Sequence, residues 1–367
     1  QLDRSEPEYL EEVKRISKQV RNKILKYVMI RRTRTDVKEY FKDDIKNQKL
    51  FCPEVAEPNR IFYQFDATTN NIFNETIKRI KDLSYSRYQP GNYLIEQMKL
   101  DAFSETQEQN LVGFMKTMLV KRLESSKYAF CKTIERFITS YEKFIKMYEA
   151  GNVYISKKID VYDYLDNENE DALIEALEKD EKAKIYSKEH FKKEFIENLT
   201  NDYNILVEIQ NMWKLVNQDF KKEEFKKQIK EDKTLSANKI IIFSESMETG
   251  LDLYRGLVDD HQEKVLFFSS GICYYNGVQV PNPVAKDLIH QNYDPKNNEQ
   301  DDTIQILITT DVLAEGINLH KSNIIVNYDL PWNPTRVLQR VGRVNRVGTT
   351  HKNIFIYNFF PTSETDI

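Results

Sequence analysis

From Pro90 to Pro281 the chain contains no proline, and between Gly91 and Gly250 it holds only Gly113 and Gly151, although both residue types punctuate the flanking stretches. Proline breaks a helix interior by removing a backbone donor, and glycine weakens it, so their joint scarcity over such a length predicts a long helical block. Within that block Phe130, Ile134, Phe137, Tyr141, Phe144 and Tyr148 recur at alternating steps of four and three, which places all six on one helix face. Leu199, Tyr203, Leu206, Ile209, Trp213 and Val216 repeat the pattern. Stripes of this kind are core contacts between helices, and they imply an antiparallel bundle.

From Lys239 the texture changes. Segments 239–244 (KIIIFS), 264–270 (KVLFFSS), 303–310 (TIQILITT), 323–329 (NIIVNYD) and 353–360 (NIFIYNFF) are apolar on successive residues. That suits strands buried on both faces of a parallel sheet, so an α/β fold with helices on both sides follows. Segment 60–66 (RIFYQFD) is strand-like as well and is expected to join the same sheet, so that the bundle interrupts the α/β domain.

Composition narrows the functional classes. The 367 residues suit two packed units, and 58 acidic against 54 basic residues give a net charge of −4. A strongly basic surface is thereby excluded, and any case for nucleic acid must come from motifs. The apolar runs fall far short of the roughly 18 residues a membrane span needs, which predicts a soluble, cytoplasmic protein with no membrane partner. Cys52, Cys131 and Cys273 are too scattered for a disulfide framework, and the five histidines form no metal-ligand cluster, so no metal site is expected. The acidic run 163–182 is followed by Ala183 and contains Asp180-Glu181, a D-E pair in a helix-forming charge run that reads as a solvated face rather than a metal-holding box. The chain starts at Gln1 and stops just after a strand-like run, which predicts a piece of a longer protein.

The most informative stretch is 333–348 (NPTRVLQRVGRVNRVG). At about 100° per residue, Val337, Val341 and Val344 share one helix face, while Gln339, Arg343 and Arg346 group on the other. A glycine inside a helix costs about 1 kcal/mol relative to alanine, so Gly342 points to close approach of a ligand or another backbone. Arginine forks match phosphate oxygens and keep their charge, which suits them to stabilising charge on a γ-phosphate. The second stretch, 309–319 (TTDVLAEGINL), leaves the carboxyl end of a buried strand, where open α/β sheets place ligands. Thr309 and Thr310 can donate to nucleic-acid phosphates there, although Thr-Thr-Asp equally serves as a helix cap. The third, 239–250 (KIIIFSESMETG), offers Ser244 and Ser246 in the same two senses.

In order and spacing these stretches resemble the fourth, fifth and sixth motifs of the second RecA-like lobe of superfamily-two helicases. The sixth motif, Q-x-x-G-R-x-x-R, is matched by Gln339, Gly342, Arg343 and Arg346. Segments 316–319 (GINL), 328–334 (YDLPWNP), 28–37 (VMIRRTRTDV) and 119–126 (LVKRLESS) are similar to the Swi/Snf-like members, including bacterial ones. The resemblance implies a RecA-like parallel sheet in which residues 1–66 form an approach segment and the first part of the lobe, 67–236 the helical insertion and 237–367 the main part. It implies an ATP-driven motor on DNA, duplex favoured. Arg343 and Arg346 would reach the γ-phosphate, and Gly316, Asn318, Gln339 and Gly342 would line the ATP site. Ser244, Ser246, Thr309 and Thr310 would touch the nucleic-acid backbone. Glu315 stands where the family has a second glycine, which argues against direct phosphate contact at that point.

No G-x-x-x-x-G-K-[ST] motif and no Gly-Lys dipeptide occurs, so the cradle for the β- and γ-phosphates is missing from this sequence. ATP and Mg²⁺ are therefore expected to act in an intact parent, partnered by an N-terminal RecA-like lobe, and not to bind this fragment alone. The insertion is a candidate docking place for a protein partner. The rival expectation is a non-catalytic helicase-like scaffold or DNA-binding module in a restriction or defence complex.

Overall fold

The computed structural model of the chain describes residues 7–28, 34–47, 53–95, 102–155, 184–261, 264–314, 317–346, 349 and 351–361. The acidic run 163–182 lies outside them. Helices α1 (Pro7–Val20), α2 (Arg34–Tyr40) and α3 (Lys42–Asn47) come first, followed by strands β1 (Glu54–Val55) and β2 (Asn59–Tyr63). The helical region contains α4 (Ala67–Asp82), α5 (Ala102–Ser125), α6 (Lys127–Glu149), the antiparallel ribbon of β3 (Asn152–Ile155) and β4 (Lys184–Ser187), and α7 (Glu194–Lys214). Next come α8 (Phe220–Glu231), α9 (Lys233–Ala237), β5 (Ile240–Phe243), α10 (Met247–His261), β6 (Val265–Phe268), β7 (Cys273–Tyr275), β8 (Val278–Val280), α11 (Asn282–Tyr293), β9 (Ile306–Thr309), β10 (Ile324–Asn327), α12 (Pro334–Val344) and β11 (Asn353–Pro361).

The sheet runs β1-β11-β10-β5-β9-β6-β7-β8, with β2 also pairing β11 in parallel, so segment 60–66 joins it across the helical region as expected. Every residue of β5, β6, β9 and β10 is buried. Alternation explains the unbroken apolar runs. Ile240 and Ile242 face one layer with Phe225 and Ile229 of α8 and Leu253 and Leu257 of α10, while Ile241 and Phe243 face the other with Ile289 and Tyr293 of α11 and Val341 and Val344 of α12. Helix α8, expected within the insertion, thus packs on the sheet.

One element was not anticipated. After β6 the chain turns back through β7 and β8, which pair antiparallel and extend the parallel sheet at its edge. The turn holds Asn276 at φ 52° and Gly277 at φ 75°, both left-handed, as the Asn-Gly pair of a tight hairpin requires. That dipeptide between Cys-Tyr-Tyr and Val-Gln-Val was the available signal.

The two apolar stripes do meet in one core. Phe130, Ile134, Phe137, Tyr141 and Phe144 of α6 cluster with Leu199, Leu206, Ile209 and Trp213 of α7. Ser126 separates α5 from α6 in extended conformation, and its hydroxyl caps α6 by accepting from the Ala129 amide at 3.1 Å. The neighbouring Ser125 fastens the insertion to the sheet, because its hydroxyl donates to Asp329 Oδ2 at 2.7 Å just beyond β10. The same carboxylate accepts from Ser244 Oγ at 2.6 Å and the Glu245 amide at 3.0 Å, and its Oδ1 pairs with Lys221 Nζ of α8 at 2.9 Å. Burial opposes ionisation of Asp329, but Lys221 and the Ser244 and Ser125 hydroxyls together hold its carboxyl below the ordinary aspartate value.

Breaking a buried pair from one side leaves an uncompensated charge. Lys221→Ala is expected to cost about 3–5 kcal/mol in denaturant unfolding of the chain, and Lys221→Met with Asp329→Leu distinctly less. A depressed carboxyl adds stability above its unfolded value near 3.8 that disappears as pH falls through that value and below it. Removing Lys221 should therefore flatten the acid limb of the stability profile.

Candidate active site

Helix α12 is set by its first residue and one buried cation. Asn333 caps it, its Oδ1 accepting from the Thr335 amide at 3.0 Å, and Pro334 fills the first turn where no backbone donor is needed. Val341 and Val344 pack into the sheet's second layer, and Arg340 on the same side has no exposed surface. Its guanidinium forks onto Asp311, Nε to Oδ1 at 2.6 Å and Nη2 to Oδ2 at 2.7 Å. Its Nη1 donates to Asn327 Oδ1 and to the Asp329 carbonyl, both at 2.9 Å. One side chain therefore ties α12 to the loop after β9 and to the end of β10. Beside it Arg336 lies 3.5 Å from both Asp311 and Glu245. Burial, with Arg340 as a like charge, pushes the Arg336 pKa down to about 10.

The opposite side of α12 is open. Gln339 and Gly342 are exposed, and among the described residues a Cβ on Gly342 would meet no heavy atom within 4 Å. Arg343 and Arg346 are half-buried at the carboxyl end, where the helix dipole favours positive charge. Arg346 donates to the Asn318 side-chain oxygen and, at 3.4 Å, to the Gly342 carbonyl. Gln339, Gly342, Arg343, Arg346 and Asn318 thus form one group. Gly316 and Glu315 lie outside the described residues.

The hydroxyl candidates gather separately, at the carboxyl ends of β5 and β9. The Ser244 amide donates to the Thr309 carbonyl at 3.0 Å. Ser244 and Ser246 are fully buried. Ser244 holds Asp329, and Ser246 Oγ accepts from the Thr249 amide at 3.3 Å in the first turn of α10. Thr309 is buried too, its hydroxyl donating to the Thr310 carbonyl at 3.0 Å, whereas Thr310 is half-buried. Trp332, from the YDLPWNP segment, is 59 % exposed, with Lys121 Nζ 5.7 Å from its ring, and lines an open cleft with Tyr63, Glu124 and Phe360. Of segment 28–37, residues 29–33 lie outside the described residues. Segment 119–126 supplies the Ser125 and Ser126 bonds to Thr249 at 2.7 and 2.9 Å.

Two residues of weight escaped the sequence reading. Arg340 falls three after Val337 and so shares its face, a signal the periodicity already carried. Asp311 had none, because an aspartate after Thr-Thr reads as a cap. Arg340→Lys keeps the charge but cannot fork, so it is expected to lower the thermal midpoint clearly, by about 2 kcal/mol or more of stability. Arg343→Lys, on the open side, should leave the midpoint within about 0.5 kcal/mol.

Residues 220–348 match the family described as helicase conserved C-terminal domain. The uncharacterized ATP-dependent helicase YqhH of Bacillus subtilis is 53 % identical over 55 residues, which are 15 % of this chain and 10 % of that protein. The ATP-dependent RNA helicase uap56 of Schizosaccharomyces pombe is 31 % identical over 133 residues, 36 % of this chain and 26 % of that one. Among solved structures, the C-terminal part of the Fun30 ATPase domain aligns with a TM-score of 0.43 at 20 % identity, covering 85 % of this chain and 86 % of its own. The chain spans between about a tenth and a quarter of the length of these two curated relatives.

Proposed function

We propose that this chain is the second motor lobe of an ATP-dependent translocase on duplex DNA and works only with a companion lobe that holds the nucleotide. The observation that carries this reading is the open face of α12. Gln339, Gly342, Arg343 and Arg346 lie together on it while Arg340, on the packed side, fixes the helix from beneath. Guanidinium groups suit a triphosphate, so the residues present fit the arginine half of an ATP site. Among the described residues no group of three or more His, Cys, Asp or Glu could hold a metal. Bound ATP would supply the free energy of phosphoanhydride hydrolysis. Arg343 and Arg346 would stabilise negative charge on the terminal phosphate, worth about 10³ to 10⁵ in turnover where arginine fingers have been removed. Thr310, the least buried of the hydroxyl candidates, would donate to a backbone phosphate of the DNA.

In the full-length protein, Arg343→Ala or Arg346→Ala is expected to cut ATP turnover by at least about 10²-fold while duplex binding stays within about twofold. Turnover unchanged in both variants sinks the motor reading. Thr310→Ala should weaken binding to any duplex sequence alike, by about three- to tenfold, the worth of one hydrogen bond.

RNA is the competing substrate, because the curated relatives include an RNA helicase. The Swi/Snf-like segments around Trp332 and Asp36 favour duplex DNA. ATPase stimulation of the full-length protein by duplex DNA and by single-stranded RNA, measured side by side, decides between them.

A further inference from the structure

Among the described residues no carboxylate pairs with Arg346. It donates to the Asn318 side-chain oxygen and to the Gly342 carbonyl, both neutral acceptors. Behind Asn318 stands an acid from another element. Asn318 Nδ2 donates to Asp294 Oδ2 at 3.2 Å, and Asp294, just after α11, is only 8 % exposed. The other oxygen, Oδ1, accepts the Lys296 amide at 2.9 Å, and the Asp294 amide donates to the His290 carbonyl at 3.1 Å. The carboxylate is thereby clamped by its own turn, with one oxygen left for Asn318 and for His290 Nδ1 at 3.9 Å.

An amide has one accepting end and one donating end. With a carboxylate on one side and a guanidinium on the other, only one orientation of the Asn318 amide makes both bonds. The reverse sets carbonyl against carboxylate and NH₂ against guanidinium. We infer that Asp294 is a positioning residue for Arg346, acting through the Asn318 amide, whose carbonyl end it holds toward the guanidinium. This rests on the reading of Arg346 as the group that meets the terminal phosphate. Two consequences follow for that role. Arg346 is oriented without having its charge cancelled, as a carboxylate partner would do. Its aim also depends on the turn after α11, a segment that contributes no residue to the proposed ATP site.

The chemistry supplies its own test. Asp294→Asn is nearly isosteric, and its remaining oxygen can still accept the Lys296 amide, so the turn is kept. Its new NH₂ then faces the Asn318 NH₂ and drives that amide to flip. Asn318→Asp sets two carboxylates against each other. The double variant, Asp294→Asn with Asn318→Asp, restores one donor and one acceptor in the right order. In the full-length protein each single change is expected to lower kcat about tenfold with KM for ATP within about twofold, since misaim costs transition-state contact more than ground-state binding. The double variant restores the hold on Arg346 but sets a carboxylate against it, so its kcat is expected to stay about tenfold below wild type while the side chain is again held in place.

In the 367-residue chain itself, NMR order parameters of the Arg346 Nε–Hε group should fall in Asp294→Asn and recover in the double variant, with the melting midpoint steady throughout. An Asp294→Asn variant with unchanged kcat and unchanged Arg346 order, or a double variant whose Arg346 order is no higher than that of Asp294→Asn, overturns the inference. Should Arg346→Ala leave turnover untouched, the reading of Arg346 as the group that meets the terminal phosphate falls instead, and the order parameters alone then decide whether Asp294 positions Arg346.

Discussion

A guanidinium with no exposed surface sets the geometry of the whole site. Arg340 cannot shed its charge, and an ion of that kind buried without a partner costs several kcal/mol. The cost is met by the fork onto Asp311 and by Asn327 and the Asp329 carbonyl. Those partners come from the carboxyl ends of β9 and β10, which flank β5, so α12 cannot rotate or slide without stripping Arg340 of them. Once Arg340 and Val344 are fixed inward, the residues at the intervening helical angles must face out, and Gln339 and Gly342 do. The open face is a consequence of the buried one.

A second buried charge ties the insertion to this frame. Asp329 is gripped by Lys221 from α8, by Ser125 from the end of α5 and by Ser244 from the end of β5, while its own backbone carbonyl accepts from Arg340. One residue therefore joins the bundle, the sheet and the arginine helix. A looser line of charges runs in parallel, from Lys121 of the insertion to Glu245 at 3.6 Å, and from Glu245 through Arg336 to Asp311 at 3.5 Å each. These groups are more exposed and individually worth little, but they share partners with the buried pair.

Much of the fold was legible because burial on both faces forces continuous apolar runs, and five such runs after Lys239 and one at 60–66 all became strands of one sheet. The helical stripes were legible for the same reason at a different period. The β7–β8 hairpin was missed because its alternation spans only three residues a side, although Asn276-Gly277 marked the turn. Helix α8 was assigned to the bundle because its sequence, dense in lysine and glutamate, gives no hint of which core its Phe225 and Ile229 enter. At the site, Gln339, Gly342, Arg343 and Arg346 could be grouped from helical angles alone. Asp294 could not, since it meets Asn318 across a long separation in sequence, and no local pattern encodes such a meeting. The serines show the limit of reading residue type. Ser244 and Ser246 end a strand as phosphate donors would, yet their hydroxyls are spent inside the protein.

Arg340 in α12 and Arg346 just beyond its end differ electrostatically, and the difference lies in their partners. Arg340 faces an aspartate and is neutralised where it sits, so it acts as a structural fastener. Arg346 faces an amide oxygen and a backbone carbonyl, which orient a guanidinium by dipole while leaving its full charge to act on its surroundings. A carboxylate in place of Asn318 would hold the side chain more tightly and leave less field for an incoming anion. Placing the acid one residue further back, at Asp294, keeps the direction of the hold and gives up the cancellation. Under the proposed role, that arrangement leaves the guanidinium aimed and still able to attract an anion.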